Sequence, residues 1–306
     1  MLKIRFWFEF VIVVLIRRVS VLLPRQISLL LGSGIGLIFY ALHARRRELA
    51  IMNLRSVFPA WDKAQCHATL RATFKQFGRH IIDLFNFSSM KPENMLSLVE
   101  VEGMEYVQKA NSQRVGVMYF AGHFGGWELQ IMVHAHLFDP IVMIARTLDN
   151  PYLEKMIERM RGRIGTRVVS REGAVRGLLR ALKDRVSVGM MIDQHIQDRS
   201  AVVVDFLGRP AATTSTIAAL ALRTGAPIIP VFAIPTSNGR YRMIYEEPIE
   251  PPGAEDPNPV FTYTQRCTDV LESYIRRHPH LWLWMHRRWR QVEKDPKPAT
   301  DPFHGV

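Results

Sequence analysis

Residues 115–130 read "VGVMYFAGHFGGWELQ". Residues 115 to 120 are an apolar, β-prone run, His123 sits in the turn that follows, and Trp127 to His136 is a stretch able to run as a helix. A strand that reverses into a helix is the repeating step of a sheet covered by helices. Glu128 follows that histidine five positions on. On a single helix two such residues point ~140° apart at ~3.6 residues per turn. They meet only if the helix begins between them, which is where Gly125 and Gly126 permit the reversal. Glu128 then sits in the first turn, at the positive end of the helix dipole, able to fold back toward His123. Free N–H groups at that helix start suit an anion or a developing oxyanion.

Outward from this stretch the alternation continues. A helical pattern covers 65–85, and β-rich runs at 141–145, 187–192, 202–206, 228–234 and 241–246 alternate with helical stretches. In "RTGAPIIPVFAI" (223–234) Gly225 and Pro227 stop a helix before a buried strand. The expected fold is α/β, a sheet covered by helices. No internal repeat occurs, and linker-like composition is confined to "EEPIEPPGAEDPNP" (246–259) and the polar tail after 293. The expected organisation is an anchoring segment at 1–44, one domain at 45–293 and a tail at 294–306.

The segment before residue 45 differs from the rest. "FWFEFVIVVLI" (6–16) and "ISLLLGSGIGLIFYAL" (27–42) are apolar and flanked by Lys3, Arg5, Arg17, Arg18, Arg25 and Arg45 to Arg47. Sixteen residues make about 24 Å of helix, short of a hydrocarbon core of ~30 Å. With no small-residue cleavage site, the pattern predicts an anchor or interfacial helix held to anionic headgroups, not a signal peptide.

Forty Lys and Arg against 28 Asp and Glu give a formal net charge of +12, so anionic partners are expected. The 48% hydrophobic content excludes general disorder. Two cysteines, Cys66 and Cys267, build neither a disulfide framework nor a Cys-based zinc site. Basic residues are spread along the chain without a nucleic-acid-binding motif, which argues against nucleic acid as partner. "HAH" (134–136) and "HPH" (278–280) lack carboxylates at metalloprotease spacing, so no metal is expected. A histidine held by a carboxylate makes a general base, and with no G-x-S-x-G and no reactive-looking cysteine the substrate's own hydroxyl is one target open to it. The alternative is a structural pair capping a helix in a non-catalytic lipid-binding protein. Near the end, "IRRHPHLWLWMHRRWR" (275–290) carries three tryptophans and five arginines without an acidic residue. Trp282 and Trp284 are expected to pack while the arginines meet headgroups.

Several stretches together resemble the bacterial lipid A biosynthesis acyltransferases, the late lauroyl or myristoyl transferases. They are "RRRELAIMNLRSVFP" (45–59), "GHFGGWE" (122–128), "ARTLDNPYLEKMIERMRGRIG" (145–165), "MMIDQH" (190–195), "FLGRPAATTSTIAALALRTGAPIIPVF" (206–232) and "HPHLWLWMHRRWR" (278–290). The wider lysophospholipid acyltransferase superfamily is marked by a histidine and an acidic residue with four positions between them, often Asp where this chain has Glu128. The resemblance implies an α/β sandwich built on a central mixed sheet with a membrane-anchoring helical segment, working without metal or cofactor at the cytoplasmic face of the inner membrane. It implies an acyl carrier protein thioester as donor and a lipid A precursor or another anionic lipid as acceptor. It also implies that His123 is the base and Glu128 its orienting carboxylate. Backbone N–H groups near Gly125 and Gly126, or an arginine, would face the oxyanion. Arg146 and Asn150 become candidates for headgroup or phosphate contact, and Asp193 and Gln194 for substrate or supporting contacts. A second acceptor, another glycolipid or a lysophospholipid, stays open.

Overall fold

The computed structural model describes residues 2–113, 115–145, 147–169, 174–197 and 200–290. Four helices come first: α1 (Leu2–Leu22), α2 (Arg25–Leu42), α3 (Ala44–Val57) and α4 (Lys63–Phe87). A short α5 (Pro92–Leu96) leads to β1 (Val99–Glu102), α6 (Met104–Asn111), β2 (Met118–Ala121), α7 (Trp127–Leu137), β3 (Val142–Ile144), α8 (Pro151–Gly162) and β4 (Arg167–Val169). Then follow α9 (Ala174–Lys183), β5 (Val188–Met191), β6 (Ala201–Asp205), β7 (Pro210–Thr214), α10 (Thr216–Thr224), β8 (Ile228–Pro235), β9 (Tyr241–Tyr245) and α11 (Pro259–Arg277).

Seven strands form one sheet in the order β1-β9-β8-β2-β5-β3-β4, while β6 and β7 make a separate antiparallel hairpin. Only β8 and β9 pair antiparallel within the large sheet, so it is mixed, and helices cover it. Every β-rich run named from the sequence falls on an observed strand. The strands that periodicity did not single out, β1, β4 and β7, are three to five residues long. Local chemistry explains the helix ends. Asp62 and Gln65 form a reciprocal capping box at the start of α4. Gly225, at φ 73°, closes α10 as its sequence predicts.

Helix α2 is clamped to α4. A Cβ added to Gly36 would lie 2.0 Å from the Phe74 carbonyl oxygen, and one on Gly78 would lie 2.0 Å from that of Gly32. The two backbones are therefore in direct contact, the use to which small residues four apart are put. At the other end of α2, Arg25 pairs with the buried Asp83 and donates to the Gly239 carbonyl (2.9 Å), and the Tyr241 hydroxyl donates to Asp83 (2.7 Å). Burial pushes the Asp83 carboxyl upward, against the pull of Arg25. The outer faces carry the reverse character: Trp7, Phe8, Leu15, Leu22, Leu30, Ile38 and Leu42 are exposed. Among the described residues α2 alone is long and apolar enough to cross a membrane, with a mean hydropathy of 1.4.

Gly36→Ala is expected to cost about 1–3 kcal/mol, because the strain of overpacking outweighs the ~1 kcal/mol that alanine gains over glycine in a helix. Gly34, around which a Cβ meets nothing within 4 Å, supplies the control, and Gly34→Ala should be neutral or stabilising. Thermal melts of the detergent-solubilised protein distinguish the two, and equal effects at both positions would contradict the backbone contact.

Candidate active site

Strands β2 and β5 are parallel neighbours, with Ala121 paired to Met191. Each chain runs on two residues past that pair, one to His123 and the other to Asp193. The register alone therefore brings the two side by side at the C-terminal edge of the sheet. The turn holding His123 is fixed from both flanks. Gly125 N–H donates to the Leu281 carbonyl (2.9 Å), Gly126 N–H to the Ala233 carbonyl (2.9 Å), and Leu283 N–H to the His123 carbonyl (3.1 Å). Gly125 has φ +57°, and a Cβ there would lie 2.1 Å from the Ala233 carbonyl oxygen, so only glycine fits.

His123 Nδ1 lies 2.8 Å from Asp193 Oδ1, and the His123 backbone N–H donates to Asp193 Oδ2 at 2.7 Å. Trp282 Nε1–H donates to the same Oδ2 at 2.8 Å. Asp193 is buried, at 3% exposure. Burial opposes its charge, yet His123 and these donors hold its pKa down to about 2. For His123 burial also opposes the charge, but the charge and hydrogen bond of Asp193, with a contribution from Glu128, lift its pKa above the ordinary histidine value. An ionised Asp193 fixes the tautomer with the proton on Nδ1 and leaves Nε2 as an acceptor. Gln194 Nε2 lies 3.1 Å from that nitrogen. The indole of Trp127 stands edge-on to His123 at 5.5 Å between ring centroids, and it also meets His80 at 3.7 Å and Phe77 at 6.2 Å. Burial keeps His80 neutral, with a pKa near about 3.

The sequence expected Glu128 to contact His123, and in the structure no hydrogen bond joins them. Glu128 instead pairs with Arg161 of α8 at 2.6 Å. The reason is topological: the strand neighbouring β2 delivers Asp193 to Nδ1, and Glu128 in the first turn of α7 faces α8. Two further expectations are corrected. The amides of Gly125 and Gly126 are committed to carbonyls and present no donors to a ligand. The amides of Trp127, Glu128 and Leu129, at the start of α7, have no acceptor among the described residues. Asn150 is a helix cap: its Oδ1 accepts from Tyr152 N–H and Leu153 N–H, and its Nδ2 donates to the Phe6 carbonyl and to Glu9 of α1. It joins α1 to α8 and is 5% exposed. Arg146 lies outside the described residues. Trp282 and Trp284 are buried as expected, and Arg288 is buried too, donating to the Ala212 carbonyl at 2.5 Å and to Thr213.

Near the dyad, between α7 and the sheet, lies an apolar cavity that is partly open to solvent. Trp127, Ile131, Ile141, Met143, Met190 and Val231 form much of its wall, and Trp127 connects it to His123. The arrangement offers a histidine whose Nε2 meets Gln194, a buried carboxylate behind it, and an apolar cavity nearby. Those parts suit proton abstraction from a hydroxyl that then attacks an acyl carbon. The chain holds no grouping of three or more His, Cys, Asp or Glu side chains suited to a metal ion among the described residues.

The family profile of bacterial lipid A biosynthesis acyltransferases matches residues 1–291. The chain is similar to a lipid A biosynthesis lauroyltransferase of Escherichia coli (strain K12), 25% identical over 88% of this chain and 87% of the relative. It is also similar to a phosphatidylinositol mannoside acyltransferase of Mycolicibacterium smegmatis, 22% identical over 72% of each. The crystal structure of the 1-acyl-sn-glycerophosphate acyltransferase from Thermotoga maritima superposes with a TM-score of 0.39 at 15% identity, over 83% of this chain and 99% of that one.

Proposed function

Because the chain belongs to the bacterial lipid A biosynthesis acyltransferase family, we propose that it transfers a fatty acyl chain from an acyl carrier protein thioester to a hydroxyl of a lipid A precursor. The observation that carries this reading is the His123–Asp193 dyad, with Trp127 shared between His123 and the wall of a nearby apolar cavity. Nε2 of His123 takes the proton of the acceptor hydroxyl, and that oxygen forms the new C–O bond at the thioester carbonyl. The tetrahedral oxyanion meets the uncommitted amides at the start of α7. When the C–S bond breaks, the imidazolium returns its proton to the leaving thiolate. Asp193 holds the ring and stabilises its charged form. Glu128 adds a second negative charge near the ring and fixes Arg161, whose guanidinium suits the phosphate or acid groups of an anionic acceptor.

The excess of positive charge fits an acidic carrier protein and an anionic acceptor. The apolar outer faces of α1 and α2 suit a membrane, and the cytoplasmic face of the inner membrane is where carrier protein and precursor would meet. A second reading keeps the chemistry and changes the acceptor to another glycolipid, a reading favoured by the similarity to a phosphatidylinositol mannoside acyltransferase.

The purified protein, mixed with acyl carrier protein thioester and a lipid A precursor, is expected to release free thiol only when both are present and to give one new ester by mass spectrometry. Thiol release without acceptor would point to a hydrolase. No release with any acceptor, from folded protein, would leave only a lipid-binding role.

A further inference from the structure

One polar side chain stands at the nitrogen assigned the proton transfer. Gln194 Nε2 lies 3.1 Å from His123 Nε2, and among the described residues no other polar side chain hydrogen-bonds that nitrogen. The roles in this contact are fixed from the far side of the ring. Ionised Asp193 holds the proton on Nδ1, so Nε2 presents a lone pair, and the Gln194 amide turns its N–H toward it, not its oxygen. The lone pair that the base needs is therefore capped by a neutral donor.

The cap is anchored at its root and loose at its tip. Asp193, the residue before it, is held by the His123 amide and the Trp282 indole, and the buried Arg288 points Nη1 at the Gln194 carbonyl oxygen at 3.4 Å. The Gln194 side chain, by contrast, is exposed. For an oxygen to sit between the two nitrogens at ordinary hydrogen-bond distances, the amide has to withdraw by only about 1–2 Å, which a change of side-chain rotamer supplies. What can enter there is chemically restricted. The same atom has to give a proton to Nε2 and accept one from the amide. A hydroxyl does both, whereas an ammonium group has no lone pair to offer and a carbonyl no proton.

We propose that Gln194 positions the acceptor, whose hydroxyl enters between Gln194 Nε2–H and His123 Nε2, accepting from the first and donating to the second. This rests on the transferase reading. The oxygen is then held by two bonds with its proton aimed at the base. One lone pair stays on the amide while the other forms the C–O bond at the thioester carbonyl as the proton passes to Nε2. When the C–S bond breaks, the thiolate takes that proton back.

Gln194→Met keeps the length of the side chain and removes the donor. Transfer is measured with acceptor varied at saturating acyl carrier protein thioester, and with thioester varied at saturating acceptor. A bond made to the hydroxyl both before and during reaction contributes to binding uniformly. The variant is therefore expected to raise the KM for acceptor about 3- to 10-fold, the worth of one neutral hydrogen bond, with kcat and the thioester KM within about twofold of wild type. A readout independent of turnover is carbethoxylation of His123 by diethyl pyrocarbonate, mapped by mass spectrometry. It should run at least about threefold faster in Gln194→Ala, where the cap is gone. Melts establish that both variants fold. An unchanged acceptor KM in Gln194→Met, or equal labelling of Gln194→Ala and wild type, overturns the proposal while transfer itself stands. So does a fall of about 10² to 10³ in kcat with acceptor KM intact, which would make Gln194 an oxyanion donor. A folded wild-type protein that transfers to no acceptor refutes the transferase reading and this one with it.

Discussion

His123→Ala is expected to lower transfer by about 10² to 10⁴, the range for loss of a general base. The geometry makes the effect specific to chemistry. His123 Nδ1 faces the buried Asp193, and Nε2 stands free except for Gln194 at 3.1 Å, so the side chain offers a proton acceptor and little else. The backbone bonds that hold the turn, Gly125 to Leu281, Gly126 to Ala233 and Leu283 to His123, do not involve the imidazole and survive its removal. Burial of Asp193 is the complication, because the variant leaves its carboxylate with Trp282 and the residue 123 amide as partners. A melt must therefore accompany the rate. His123→Gln, which retains a polar group near Asp193, supplies a variant with less disturbance of folding. If a folded variant of either kind kept more than about a tenth of wild-type turnover at saturating donor, no general base would act here.

The sequence made the strand-turn-helix around His123 legible because apolar run, glycines and helix start lie within sixteen consecutive residues. The position of the proposed base followed from that local pattern. Its partner did not, since the partnership is set by register between β2 and β5, seventy residues apart, which no local spacing encodes. Asp193 stood out in "MMIDQH" as a residue at a strand end, and only sheet order makes it the neighbour of Nδ1. Glu128 looked like the partner because it was near in sequence, and its real contact is Arg161 in α8. The two glycines were read as an open anion site. Their amides are spent on Leu281 and Ala233, because the positive φ of Gly125 lets the turn press against β8. Asn150, a candidate for headgroup or phosphate contact by its place after a strand, proved to be a cap gripping α1. In each case the residue type was read correctly and the long-range contact decided its use.

Asp193→Asn should separate the two carboxylates near the base. It keeps size and one hydrogen-bond acceptor but removes the charge that fixes the tautomer, and in a serine hydrolase triad the equivalent change costs ~10⁴ in kcat. A loss of about 10² to 10⁴ in kcat with little change in KM is expected here. The pH profile gives the sharper signature. The base must be neutral to act, so the wild-type rate should climb through a pKa above 6.5, the ordinary histidine value. Without the Asp193 charge the remaining burial lowers that pKa, and the acid limb moves to lower pH. Stability follows the same sign. His123 has a raised folded pKa, so its charged pair with Asp193 stabilises the fold fully below the unfolded histidine pKa and loses that contribution as pH rises through the folded value. The deficit of Asp193→Asn in a melt should accordingly be larger at pH 5.5 than at pH 8.5. Glu128→Gln should differ in kind: it frees Arg161, so the loss appears largely in KM for an anionic acceptor, and the acid limb shifts less because Glu128 contributes less than Asp193 to raising the His123 pKa. Should Glu128→Gln move the limb further than Asp193→Asn, Glu128 and not Asp193 would be the carboxylate that governs the base.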